Sequence, residues 1–133
     1  MPEWTKVSHT SFSVRDAESS AVWSQRVLGL EEINRVEGDG WHGILLIHPA
    51  SASLLEYQQH EAHRGEPFDP RKTGLDHVGF QVRSRAALDE WLEHFEALGV
   101  DHSPIADREY GSVLTFRDPD GIQLEMFFRE GHP

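Results

Sequence analysis

The segment His9-Thr10-Ser11-Phe12-Ser13-Val14 recurs 68 positions later as His77-Val78-Gly79-Phe80-Gln81-Val82. The correspondence continues along the chain. Trp23 and Trp91 keep the same offset, Leu28-Gly29-Leu30 answers to Leu98-Gly99-Val100, and a Leu-Glu pair closes each half at Leu55-Glu56 and Leu124-Glu125. The histidine precedes the glutamate by 47 residues in the first half and by 48 in the second. An internal duplication restricts the chain to folds built from two copies of one supersecondary unit. A length of 133 residues supports about one domain-sized core, so the copies are expected to share a core with each other or with a partner chain.

Local patterning gives both copies the order β-α-β-β-β. Val7 to Val14 alternate, with His9, Ser11 and Ser13 on one face and Thr10, Phe12 and Val14 on the other, which predicts a strand. Asp16 is placed to cap a helix whose apolar stripe is Ala21, Val22, Trp23, Val27 and Leu28, ending at Gly29. Strands are expected over Glu31 to Val36, Trp41 to His48 and Ser53 to Gln59. In the second copy Ser84 caps a helix with Leu88, Trp91, Leu92, Phe95 and Leu98 on one face, and Gly99 stops it. Strands follow around Asp101 to Pro104, Ser112 to Arg117 and Gln123 to Phe128. The last two are joined by the turn Asp118-Pro119-Asp120-Gly121. The modules are thus 5–60 and 75–129 of a single domain over 1–133, joined by a linker over 61–74 rich in Pro, Gly and charge.

Strand phase says where the polar groups point. In both first strands the histidine lies opposite Phe and Val, the natural partners of the helix stripe, so the imidazoles face away from the helices. Glu125 shares its face with Gln123 and Phe127, while Leu124, Met126 and Phe128 take the other. Duplication of one imidazole and one carboxylate yields four metal-competent side chains. They stand on faces that resemble the wall of a wet cleft more than a packed core.

The composition narrows the function classes. There is no cysteine, which excludes disulfides, thiolate zinc sites and a thiol nucleophile. Formal charge is −11, from 23 acidic and 12 basic residues, which argues against nucleic acid and anionic membrane surfaces as partners. Met1-Pro2-Glu3-Trp4 does not open a targeting segment, and no run approaches the ~20 apolar residues of a membrane span, so a soluble cytoplasmic protein is expected. Arg64, Arg71, Lys72 and Arg108 could serve an anionic small molecule, although ordinary solvated charges explain each of them more simply.

These pieces together resemble the vicinal oxygen chelate superfamily, which includes glyoxalase I, bleomycin- and fosfomycin-resistance proteins and extradiol dioxygenases. The resemblance runs from Val7 to Phe128. It is carried by His9-Thr10, Val27-Leu28-Gly29-Leu30, Leu75-Asp76-His77-Val78 and, most specifically, Phe116-Arg117-Asp118-Pro119-Asp120-Gly121-Ile122-Gln123-Leu124-Glu125. It implies an α+β fold in which two β-α-β-β-β modules form a curled mixed sheet, a half-barrel with helices outside. It also implies metal ligands from the first and last strands of each module, here His9, Glu56, His77 and Glu125. Two imidazoles and two carboxylates suit one divalent metal per site, Ni²⁺, Zn²⁺, Mn²⁺ or Fe²⁺, with positions open for substrate.

The phase of the strand around Glu56 decides the chemistry. Set one way, Glu56 faces inward, and the site resembles glyoxalase I, in which Glu56 or Glu125 serves as general base on a carbon acid. Set one residue out, Glu56 turns away and leaves His9, His77 and Glu125, the two-His-one-carboxylate set of Fe²⁺ dioxygenases, with Tyr110 as a candidate acid. Bacterial glyoxalase I usually carries an arginine and an asparagine for glutathione where this chain has Ser13 and His60, so glutathione is a doubtful substrate. His60-Glu61-Ala62-His63 is a tempting metal pattern that a solvated loop explains as well, and Trp41 is a candidate for the cleft wall. The expected function is a metal-dependent glyoxalase-like lyase or isomerase of a small oxygenated substrate, in a homodimer. The alternatives are a ring-cleaving Fe²⁺ dioxygenase and a metal-free, drug-sequestering binding protein.

Overall fold

The computed structural model describes residues 1–132 and divides the chain into two compact units, Met1–Glu66 and Pro67–Pro133. The first contains β1 (Thr10–Ser13), α1 (Ala17–Leu28), β2 (Glu31–Gly38), β3 (Trp41–His48) and β4 (Ser53–His60). The second contains β5 (Val78–Gln81), α2 (Arg85–Leu98), β6 (Ala106–Arg108), β7 (Gly111–Arg117) and β8 (Gln123–Phe128). Each unit is one four-stranded mixed sheet, ordered β1-β4-β3-β2 and β5-β8-β7-β6. The first strand runs parallel to the last in each, and the other pairings are antiparallel.

In the first unit the chain leaves β1, and Asp16 caps the helix by accepting the Ser19 N–H at 2.8 Å. Gly29, at φ 68°, ends it in the left-handed conformation, as Gly99 does for α2 at φ 67°. The return through the meander β2-β3-β4 brings β4 beside β1. Phe12 stacks on Tyr57 with centroids 5.8 Å apart, and Val14, Ile44, Leu46 and Leu55 complete a core under α1. Burial of these side chains is the main stabilising contribution, about 1.5–3 kcal/mol for each large one.

The buried face of α1 departs from the predicted stripe. Val22 is exposed, and the core face is Ala17, Ser20, Ala21, Ser24, Val27 and Leu28. That face follows helical spacing once two serines are admitted to it, and a search for apolar residues alone assigns Val22 in their place. Ser24 satisfies its hydroxyl by donating to the Ala21 carbonyl at 2.9 Å, whereas the buried Ser20 hydroxyl has no hydrogen-bond partner among the described residues.

In the second unit Ser84 accepts the Ala87 N–H at 3.1 Å. Leu88 and Phe95 are fully buried, and Phe95 lies 4.5 Å from the ring of Phe116. The strand predicted over Asp101 to Pro104 is reduced to a single bridge between His102 and Phe116, and the edge strand forms instead at Ala106–Arg108. Pro104 has no N–H to give to a ladder. Ser103 partly substitutes, with its backbone N–H donating to the Thr115 carbonyl at 2.9 Å and its hydroxyl accepting the Thr115 N–H at 3.1 Å.

The turn between β7 and β8 is organised by Asp118. Buried at 6 % exposure, it accepts the N–H groups of Asp120 and Ile122 on Oδ1 at 2.9 and 2.8 Å, while Gly121 takes φ 79°. Asp118→Ala leaves two buried donors unsatisfied and is expected to lower unfolding free energy by about 2–3 kcal/mol in urea titration. A loss under ~0.5 kcal/mol would contradict the assignment. Ser20→Ala removes a buried hydroxyl that makes no bond and is expected to stabilise by about 1 kcal/mol. Destabilisation by the same amount would show that the hydroxyl is satisfied in solution.

Candidate metal centre

His9 immediately precedes β1 and is exposed, with Nδ1 facing the Ser8 hydroxyl at 3.2 Å. Two residues further on, Ser11 pairs in register with Glu56 of β4, between the pairs Thr10↔Leu55 and Phe12↔Tyr57. Partners in a ladder project to the same side, and successive residues alternate. Leu55 and Tyr57 enter the core beneath α1, so Glu56 faces the helix-free side with Ser11 and His9. Trp41 lies on that side as well, its ring 6.4 Å from that of His60. Glu56 is only 8 % exposed, yet its carboxylate makes no hydrogen bond or ion pair with any described residue. Its Oε1 lies across Gly43 of β3, where a Cβ would stand only 2.6 Å away. Glycine at that position makes room for the carboxylate.

The second unit repeats the arrangement. His77 immediately precedes β5, and two residues on Gly79 pairs in register with Glu125 of β8. A Cβ on Gly79 would meet the Glu125 Oε1 at 3.2 Å. His77 Nε2 stands 3.6 Å from Glu125 Oε1, and its Nδ1 is 2.7 Å from Asp76 Oδ1. Gln123, two residues before Glu125 on β8, donates from Nε2 to the Asp76 carbonyl at 2.9 Å. Arg117 donates to the Gln123 Oε1 at 3.0 Å and to the Gly121 carbonyl at 2.9 Å. These groups, with Thr115 and the segment 101–103, line a cavity of about 460 Å³ within this unit.

The electrostatics favour a cation. The hydrogen bond that His77 donates to Asp76 raises the His77 pKa above its ordinary value; partial burial opposes this, and the Glu125 charge adds to it. With Nδ1–H donating to Asp76, Nε2 turns a lone pair toward a carboxylate 3.6 Å away. That contact is repulsive unless a proton or a metal ion stands between the two groups. The donors are oxygen and imidazole nitrogen, the set a divalent first-row metal prefers, and Glu56 is a buried carboxylate lacking a protein partner. On these grounds the residues fit such an ion. Neither unit holds a complete set by itself: among the described residues, no three His, Asp or Glu side chains gather in a metal-holding group.

Other residues singled out in the sequence lie elsewhere. Tyr110 is 60 % exposed in the turn between β6 and β7 and does not line the cavity. Arg71 is occupied by Asp69, at 2.9 Å from Nε to Oδ1. His63 lies 3.9 Å from Glu66 and builds no metal group with His60. Sequence reasoning assigned no role to Asp76, Gln123, Gly43 or Gly79. The glycines carried a signal, since a glycine inside a strand often marks close approach of another group. Asp76 and Gln123 carried none, because their contacts depend on the parallel register of β5 and β8.

Comparison with known proteins identifies the family of the chain. The family model described as the glyoxalase/bleomycin resistance protein/dioxygenase superfamily matches residues 6–126. The chain is 36 % identical over 107 residues to MhqA of Bacillus subtilis, provisionally named a ring-cleaving dioxygenase, covering 75 % of this chain and 32 % of that protein. It therefore spans about a third of the length of that relative. It is 29 % identical over 130 residues to Glyoxylase I 4 of Arabidopsis thaliana, covering 92 % of this chain and 70 % of that one. A crystal structure of a glyoxylase/bleomycin resistance protein/dioxygenase domain from Frankia sp. EAN1pec superposes with a TM-score of 0.87 at 31 % identity, over 95 % of this chain and 98 % of that one. With two four-stranded mixed sheets in that arrangement, the chain belongs to the glyoxalase/bleomycin resistance protein/dioxygenase superfamily and has its fold.

Proposed function

We propose that His9, Glu56, His77 and Glu125 are the ligands of one divalent metal ion per site, a His–Glu pair from each module. On this reading the chain is a glyoxalase-type lyase or isomerase of a small oxygenated substrate and works as a homodimer. The observation that carries the reading is the identical register of the two pairs. In both units the residue two after the histidine is the ladder partner of the glutamate, on the helix-free face. The open choice of metals is Ni²⁺, Zn²⁺, Mn²⁺ and Fe²⁺, all compatible with N/O donors. When bound, such an ion supplies Lewis-acid stabilisation of an oxyanion on the substrate.

The chain's own residues supply the proton transfer. Glu56 takes the role of base: it is buried, has no protein partner and is not engaged by its histidine as Glu125 is by His77. Its carboxylate takes the proton from a hydroxyl-bearing carbon next to a carbonyl: the C–H electron pair becomes a C=C bond as the carbonyl π pair moves onto oxygen, the hydroxyl proton passes to that oxygen, and the carboxylate returns its proton to the former carbonyl carbon, so that the first carbon becomes the carbonyl. Glu125 serves as the second candidate for the same role. Ser13 and His60 replace the residues that would receive a glutathione adduct, which favours a substrate without that group. A second reading, a ring-cleaving Fe²⁺ dioxygenase using His9, His77 and Glu125, is favoured by the similarity to MhqA.

Metal content distinguishes these. After incubation with each of the four metals, about one ion per chain is expected in the wild type. His77→Ala and Glu56→Ala are each expected to lose it, with affinity falling at least ~100-fold. Metal retained in Glu56→Ala and lost in His77→Ala, with Fe²⁺-dependent O₂ consumption on catechols, would replace the lyase reading by the dioxygenase. Absence of metal from the wild type under all four conditions would overturn both and leave a binding protein.

A further inference from the structure

His77 lies outside the strand it introduces. The ladder between β5 and β8 begins at Val78↔Leu124, so the backbone of Asp76 and His77 lacks the pairing that fixes the residues after it. A single side chain compensates: the Gln123 carboxamide donates to the Asp76 carbonyl at 2.9 Å. That carboxamide is itself oriented, because its oxygen accepts from Arg117 at 3.0 Å. Flipping the amide would set NH₂ against guanidinium and oxygen against carbonyl, so the arrangement has one stable sense. Arg117 is in turn anchored to the Gly121 carbonyl at 2.9 Å, in the turn that Asp118 organises. Beyond Asp76 the series continues through its carboxylate, 2.7 Å from His77 Nδ1. A carboxylate accepts only, so this contact is attractive with the proton on Nδ1, which leaves Nε2 free toward Glu125.

We propose that Gln123 is a positioning residue for His77: oriented by Arg117, it ties down the Asp76 backbone so that Asp76 fixes the imidazole with Nε2 turned toward Glu125. The inference rests on the reading of His77 as a metal ligand only for its consequence, since the tautomer belongs to the protein without metal. The first unit supplies a contrast. Leu54 stands two residues before Glu56, where Gln123 stands before Glu125, and Ser8 replaces Asp76 before the histidine. His9 accordingly meets a hydroxyl at 3.2 Å instead of a carboxylate. The two imidazoles are thus held unequally, His77 by a four-member series and His9 by its neighbour.

The test uses the full chain, free of metal, with the imidazole nitrogens observed by ¹⁵N–¹H correlation NMR at about pH 9, where histidine is neutral. His77 is expected to carry its proton on Nδ1, opposite to the preference of histidine in water. Gln123→Ala and the isosteric Gln123→Glu should both shift it toward the Nε2-protonated form. Gln123→Glu retains, and strengthens, the pairing with Arg117, so a role confined to stabilising the hairpin predicts no change in that variant. Mn²⁺ affinity, measured by calorimetry, is expected to fall about 10-fold in both variants. An unchanged tautomer in Gln123→Glu, or Nε2 protonation already in the wild type, would overturn the proposal. If the tautomer shifts as expected while the wild type binds no Mn²⁺ or other tested metal, positioning by Gln123 stands and the metal reading falls.

Discussion

In each unit the first strand is held to the last by a parallel ladder of only four residue pairs, and the placing of the imidazole and carboxylate depends on its register. A slip of one residue would turn every side chain of the strand to the opposite face. Phe12 and Tyr57 then could not stack in the core, and Glu56 would be driven beneath α1 in place of Leu55 or Tyr57. Apolar packing on one face thereby determines where the polar groups stand on the other. Burial of Phe12, Val14, Leu55 and Tyr57, at about 1.5–3 kcal/mol for each large side chain, holds that phase in place.

The two units keep that register and differ around it. In the first, β2 and β3 are eight residues each, and β3 presents Trp41 and Gly43, with His60 of β4, on the face that carries Glu56. In the second, Pro104 interrupts the corresponding edge strand, and the segment 101–103 becomes part of a cavity wall facing His77 and Glu125. The carboxylates are accommodated alike, each lying over a glycine, although Gly43 belongs to the third strand of its unit and Gly79 to the first. One duplicated frame thus provides two similar His–Glu pairs with unlike surroundings.

Much of this was legible in the sequence because the signals were local. Asp16 and Ser84 as helix caps, Gly29 and Gly99 as stops and Asp118-Pro119-Asp120-Gly121 as a turn each act through backbone groups a few residues away. Strand alternation placed His9, His77 and Glu125 on the helix-free faces. It left Glu56 ambiguous because Leu54, Leu55, Glu56 and Tyr57 alternate poorly, and pairing with β1 was needed to set the phase. The helix stripe of the first unit departs from the apolar pattern where serines take core positions, since packing at Ser20 and Ser24 depends on size as much as on polarity. The contacts of Gln123 with Asp76, and of Gly43 with Glu56, join residues brought together by sheet register, which no local pattern encodes.

Assignment of the metal to the two His–Glu pairs is a statement about where a bound ion would sit. Anomalous diffraction from crystals grown with Mn²⁺ tests it most directly. One peak per site is expected, with nitrogen of His9 and His77 and oxygen of Glu56 and Glu125 each about 2.0–2.3 Å from it. A peak coordinated without Glu56, or seated on other residues such as His60 and His63, would contradict it.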